Sequence, residues 1–408
     1  MIDIPGRPQA ASSAASTTEP YRVMVVDDSA VIRGLLTRTL EGDGTIRVVA
    51  SVANGQMAIN TLQRQTLDVI VLDIEMPVMD GLTALPQLIA ADPAVKIIMA
   101  STLTAKNADI SLRALRAGAS DYVTKPSSTR ELTGAESFKA ELVSKVQALG
   151  EAARRADPSK GTPSRPLAPR PVVAPVPGAA PAAAPTGTAA PAAPSPIRSR
   201  LLDHGPVVLR PAPDIRPDII AIGSSTGGPQ ALFEVMANFR GGLQQPIVIT
   251  QHMPATFTTI LAEHITRQCG IECAEAKDGE PIVGGRAYVA PGDNHFLLVS
   301  RNGVTTAQLT KDPPENFCRP AVDPMLRSIV KIYGRKVLAV ILTGMGHDGR
   351  GGCDQVVQAG GMVVGQDEAS SVVWGMPGAV ATAGLCSSIL PLKEIGPFIR
   401  KIALRTAA

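Results

Sequence analysis

Two stretches of the chain repeat one pattern. A short apolar run, rich in β-branched residues, is followed by a segment whose apolar residues recur three and four apart. In the first stretch the runs are Val23–Val26, Val48–Ala50, Val69–Leu72, Lys96–Met99 and Tyr122–Thr124. Between the first two, Val31, Ile32, Leu35, Leu36 and Leu40 fall on one helical face. In the second stretch the pattern predicts strands at 218–222, 246–250, 286–290, 337–342 and 362–365. It predicts helices there at 228–239, 257–268, 321–333 and 369–382. Continuous apolar strands alternating with amphipathic helices mean parallel sheets covered on both faces, hence two doubly wound α/β domains.

Composition separates them. Residues 158–196 hold twelve prolines and eleven alanines, and no aromatic residue stands between Phe138 and Phe233. Such a segment cannot bury enough apolar surface to offset the entropy of ordering it. The division is therefore a tail at 1–20, a first domain at 21–140, a Pro/Ala-rich linker at 150–215 and a second domain at 216–405. A net charge of +3 over 408 residues gives no bulk reason for a nucleic-acid partner. The five cysteines lack Cys-x-x-Cys spacing and read as reduced thiols of a cytoplasmic protein. No apolar run has the roughly 18 residues of a membrane span, and residues 1–20 carry no hydrophobic signal core.

Polar residues collect where the predicted strands end. Asp27 and Asp28 follow the first strand, Asp73 ends the third, Ser101 follows the fourth and Lys125-Pro126 follows the fifth. Taken singly, each is an ordinary strand-end residue. Together they form one pocket, in which three crowded carboxylates invite a hard divalent cation such as Mg²⁺. With the cation, Lys125 would balance a phosphoryl group arriving on one of the carboxylates.

The second domain opens on Gly223-Ser224-Ser225-Thr226-Gly227-Gly228. A Gly-x-Ser-x-Gly turn between strand and helix lifts a serine hydroxyl out of the sheet, making Ser225 a candidate nucleophile. The competing reading is a glycine-rich phosphate-binding turn. No Gly-Lys-Ser/Thr follows it, however, and Ser225 occupies the place of the second dinucleotide-binding glycine. His252 and the pair His347-Asp348 also lie at strand ends. Nucleophilic catalysis needs a base for the serine proton and a carboxylate to orient that base. His252 is the better base, facing Ser225 from a neighbouring strand with Asp348 behind it, because adjacent side chains such as His347 and Asp348 diverge. His264 falls in a helical pattern and reads as exposed.

On these marks, including Met76-Pro77-Val78-Met79-Asp80-Gly81 after Asp73, residues 21–140 resemble the receiver domain of two-component response regulators. Residues 215–400 resemble the catalytic domain of chemotaxis protein-glutamate methylesterases, through the Ser225 turn, Thr250-Gln251-His252-Met253-Pro254, Tyr288–Asp293, Arg319–Asp323 and Leu342–Gly349. The resemblance implies a flavodoxin-like receiver and a Rossmann-like serine esterase domain. It implies Asp73 as phosphoacceptor, Mg²⁺ held by Asp27, Asp28, Asp73 and the Glu75 backbone carbonyl, and phosphoryl contacts from Ser101 and Lys125. It implies Ser225, His252 and Asp348 as nucleophile, base and orienting acid, with the Met345 N–H at the oxyanion. The implied activity is hydrolysis of glutamate methyl esters on chemoreceptors, with deamidation of receptor glutamines. A sensor histidine kinase would be the phosphodonor, with no nucleic-acid partner, no membrane insertion and no cofactor for the esterase site. The rival reading is a non-enzymatic regulator whose second domain binds a nucleotide or a partner.

Overall fold

The computed structural model describes residues 19–102, 104–125, 136–161 and 207–405. Most of the sequence-derived tail and linker, together with Pro126, lies outside them. The first domain has five strands: β1 (Tyr21–Val26), β2 (Ile46–Val52), β3 (Val69–Asp73), β4 (Lys96–Thr102) and β5 (Asp121–Lys125). They form one parallel sheet in the order β2-β1-β3-β4-β5. Because side chains alternate along a strand, each strand feeds two cores. Val23, Val25, Val69, Val71 and Ile98 pack with α1 (Ala30–Glu41) and α5 (Glu136–Ala156). Met24, Ile70, Leu72 and Ile97 pack with α2 (Gly55–Leu62), α3 (Gly81–Ala91) and α4 (Ala105–Arg116).

The expected linker is shortened at both ends. Helix α5 continues past residue 150 to Ala156, because Leu149 and Ala153 are buried and Arg154 pairs with buried Asp68 at 3.0 Å while lying over the Tyr21 ring. Buried Lys160 then holds the Leu67 carbonyl and Asp92. At the other end Ile215 is buried and the Arg210 N–H donates to the Cys386 carbonyl, so this segment already belongs to the second domain.

That domain is a seven-stranded parallel sheet, ordered β14-β13-β12-β6-β7-β9-β8. Its strands are β6 (Ile219–Ser224), β7 (Ile247–Gln251), β8 (Glu272–Glu275), β9 (Arg286–Val289), β12 (Val337–Ile341), β13 (Met362–Gln366) and β14 (Ser388–Leu390). Helices α6 (Gly228–Met236), α7 (Ala255–Cys269) and α11 (Leu392–Ala403) cover one face; α8 (Val322–Tyr333), α9 (Arg350–Gln358) and α10 (Met376–Thr382) cover the other. An antiparallel hairpin, β10 (His295–Arg301) with β11 (Val304–Thr310), packs Phe296 and Leu298 beside α8.

The apolar pattern does not predict the hairpin, β8, β14, α9 or α11, and two of its expectations are corrected. Residues 369–375 are not helical, because Asp367 captures the Ser370 N–H (3.0 Å) and its own carbonyl accepts from the Ser371 hydroxyl, closing a turn that competes with a helix. His264 is buried rather than exposed: its Nε2 lies 2.8 Å from Asp109 on α4 of the first domain. The two domains also meet where Tyr122 stacks on Phe257, 4.4 Å between centroids, and where Arg116 lies over Phe233. Among the described residues no helix is long and apolar enough to cross a membrane.

Candidate functional site

In the first domain the carboxyl ends of β1, β3, β4 and β5 meet in one acidic pocket. Carboxylate oxygens of Asp27, Asp28 and Asp73 lie within 4.8 Å of one another. Lys125 bridges two of them, 2.7 Å from Asp27 and 2.6 Å from Asp73. Burial raises the Asp73 carboxyl above its usual value and Asp27 adds to that, while Lys125 works against both. Ser101 is buried at the end of β4 and accepts a hydrogen bond from the Ser111 hydroxyl at 3.1 Å. The Glu75 side chain turns outward to Lys106, leaving only its backbone near the pocket. A Cβ on Gly81 would lie 2.0 Å from the Asp73 carbonyl oxygen, so only glycine fits beneath this strand end. The donor set is all oxygen and strongly anionic, which suits Mg²⁺.

In the second domain the chain leaves β6 for β7 on one side and later returns on the other as β12. Ser225 stands at that reversal, where open α/β sheets form their crevice. Its N–H donates to the Thr343 carbonyl after β12, and Gly227 at φ 74° turns the chain into α6. A Cβ on Gly344 would lie 2.9 Å from that of Ser225, so glycine allows the 343–346 loop to pass beside the hydroxyl. The neighbouring Ser224 hydroxyl is buried and donates to Gln251 at 2.7 Å.

His252 follows β7, its N–H donating to the Ser224 carbonyl. Its Nε2 lies 2.8 Å from Asp348 and its Nδ1 3.3 Å from the Cys318 sulfur. Ser225 is not among its hydrogen-bonding partners. Asp348 accepts from the N–H groups of Val322 (2.6 Å) and Asp323 (3.1 Å), which open α8, and from Asn316 Nδ2 (2.9 Å). The helix N-terminus stabilises the anion. Burial alone would raise the Asp348 carboxyl, but His252 and these N–H groups hold it below its usual value. Burial likewise opposes charge on His252, yet the hydrogen bonds to Asp348 and Cys318 win and raise it to about 10. His347 is exposed. The Met345 N–H, in the glycine-lined loop beside Ser225, meets no acceptor among the described residues. Sequence reading missed Asn316 and Cys318; only their closeness to Arg319–Asp323 along the chain hinted at them.

The raised His252 value fixes a sign. A group whose pKa is higher folded than unfolded stabilises the fold fully below its unfolded value, about 6.5, and loses that contribution as pH rises through about 10. The Tm advantage of the native protein over His252→Gln is therefore expected to be largest near pH 6 and to shrink toward pH 10. A gap that widens over that range in thermal unfolding would contradict the assignment.

The CheB methylesterase family model matches residues 220–399 and the response regulator receiver domain model matches 23–135. A relative from Rhodospirillum centenum, named protein-glutamate methylesterase/protein-glutamine glutaminase of group 2 operon, is 72% identical over 410 residues and aligns over 100% of both chains. The chain belongs to this methylesterase/glutaminase family. A second family member, from Azospirillum brasilense, is 64% identical, also over 100% of both chains. Among solved structures, the Thermotoga maritima CheB methylesterase catalytic domain is 40% identical, covering 46% of this chain and 100% of its own, with a TM-score of 0.45. The response regulator domain of Thermotoga maritima CheB is 33% identical, covering 33% and 98%, with a TM-score of 0.30. Membership of an enzyme family with both domains sets aside the non-enzymatic rival.

Proposed function

We propose that the chain hydrolyses γ-methyl esters of glutamates on chemoreceptors, releases methanol, deamidates receptor glutamines at the same site, and is switched by phosphorylation of Asp73. The observation that carries the esterase reading is the His252–Asp348 pair at 2.8 Å, at the end of the strand beside Ser225. Ser225 attacks the ester carbonyl while His252 takes its proton, which requires the neutral ring; the resting imidazolium held by Asp348 and Cys318 must first lose a proton. Asp348, bonded to Nε2, fixes the ring and leaves Nδ1 for the serine, so the Ser225 hydroxyl replaces Cys318 as the Nδ1 partner when substrate enters. The Met345 N–H, without an acceptor, supports the oxyanion. His252 gives the proton to the departing methoxide, which leaves as methanol; it then takes a proton from water, which attacks the acyl-enzyme, and returns it to the Ser225 oxygen as the glutamate is released.

In the receiver, Asp27, Asp28, Asp73 and the Glu75 carbonyl would hold Mg²⁺, which supplies charge neutralisation for phosphoryl transfer from a sensor histidine kinase. Lys125, and Ser101 at the end of β4, would then meet the phosphoryl oxygens. Resting inhibition is supported by the shared packing at the cleft: Met345, Val372 and Val373 join one hydrophobic cluster with receiver residues that include Ala100 and Val123. Rearranging β4 and β5 on phosphorylation would disturb that packing.

Asp73→Asn is accordingly expected to abolish labelling by a small phosphodonor in Mg²⁺ and to leave basal esterase activity roughly unchanged. Deleting residues 1–206 is expected to raise the basal rate. A folded, truncated domain no faster than the unphosphorylated full-length protein would refute inhibition by cover.

A further inference from the structure

Residues Glu315–Cys318 form a tight turn at the edge of the esterase cleft. The Cys318 N–H donates to the Glu315 carbonyl at 2.9 Å, and the Glu315 N–H donates back to the Cys318 carbonyl at 3.1 Å. The two central residues both have positive φ, Asn316 at 52° and Phe317 at 63°. Such a turn favours Asn followed by Gly, because few side chains tolerate the left-handed region. The β10–β11 hairpin uses that pair, Asn302-Gly303, at φ 52° and 81°. Here the place that favours glycine holds phenylalanine, and its ring is fully exposed (102%). The fold gains no packing from that ring and bears its backbone strain.

The rest of the turn is fixed to the site. The Glu315 carboxylate takes two hydrogen bonds from Arg327, Asn316 donates to Asp323 and Asp348, and Cys318 meets His252. Phe317 is thus a rigidly mounted aromatic, one residue from groups touching both members of the His252–Asp348 pair. It is also left uncovered by the receiver. A preorganised exposed aromatic beside a cleft has the chemistry of a binding anchor for an apolar polypeptide surface.

We propose that Phe317 is the specificity-determining contact by which this site engages the polypeptide flanking the esterified glutamate. The proposal rests on the esterase reading above. It assigns Phe317 no part in bond making or breaking.

The test compares full-length wild type with Phe317→Ala, Phe317→Gly and Phe317→Tyr, using a small phosphodonor throughout. The readouts are methanol release from methylated receptor membranes, the rate at which a fluorophosphonate labels Ser225, and Tm. For the Ala and Gly variants KM for the membranes is expected to rise about tenfold, in line with loss of an aromatic anchor. Their kcat and labelling rate are expected to stay near wild type, and Phe317→Tyr to restore KM. Phe317→Gly is expected to be no less heat-stable than wild type, which separates lost docking from lost folding. An unchanged KM in the Ala and Gly variants would overturn the proposal. So would a fall in labelling rate matching the loss on membranes, because the turn would then only support His252 and Asp348. If wild type released no methanol at all, the esterase reading itself would fall, and the docking role with it.

Discussion

Ser225→Ala is expected to leave the protein folded and to remove nearly all methanol release. Loss of a nucleophile that acts within a hydrogen-bonded unit costs on the order of 10⁴-fold or more, equivalent to about 5 kcal/mol of barrier. The fold has little reason to suffer. Ser225 is only partly buried, and its hydrogen bonds run through its backbone N–H and carbonyl, both of which alanine keeps. Ser224→Ala is the internal control, since that hydroxyl is buried on Gln251 and faces away from the cleft chemistry. It is expected to lower stability modestly and to leave most activity. A Ser225→Ala protein retaining a tenth of wild-type methanol release would remove Ser225 as nucleophile.

The second large effect concerns the base. His252→Gln is expected to be nearly inactive, also by about 10⁴-fold, because the serine proton then has no acceptor held by Asp348. His347→Gln is expected to keep most activity: His347 is exposed, and its backbone carbonyl, which accepts from the Arg350 N–H, survives the substitution. The reverse ranking in the same assay would reassign the base. Asp348 belongs with His252, but its variants are harder to read. It also accepts the N–H groups that open α8, so its removal would unsettle a helix as well as a ring.

Much of this was legible in the chain because strand ends are legible. A β-branched run followed by an acid, a serine or a histidine places that residue at one sheet edge. This suffices to gather Asp27, Asp28, Asp73, Ser101 and Lys125, and to set Ser225 and His252 side by side. What escaped was whatever depends on partners distant in sequence. Cys318 and Asn316 sit on a turn that Arg327 on α8 anchors through Glu315. His264 looked solvent-facing because its cover, Asp109, comes from the other domain. Helix α9 begins Arg350-Gly351-Gly352, a poor helical signal on its own. Gly352 is needed there because a Cβ would come within 2.6 Å of the Leu326 side chain. The β10–β11 hairpin is a different case: Asn302-Gly303 is a strong local turn signal and could have been read.

A phosphorylation-controlled receiver is proposed to govern a serine esterase acting on methylated receptor glutamates. Its most direct test is methanol release from methylated receptor membranes by the full-length protein, with and without a small phosphodonor in Mg²⁺. Slow release is expected without the donor, and a several-fold or greater rise with it that Asp73→Asn abolishes. Release that is absent, or that proceeds at one rate whether or not Asp73 can be phosphorylated, would contradict it.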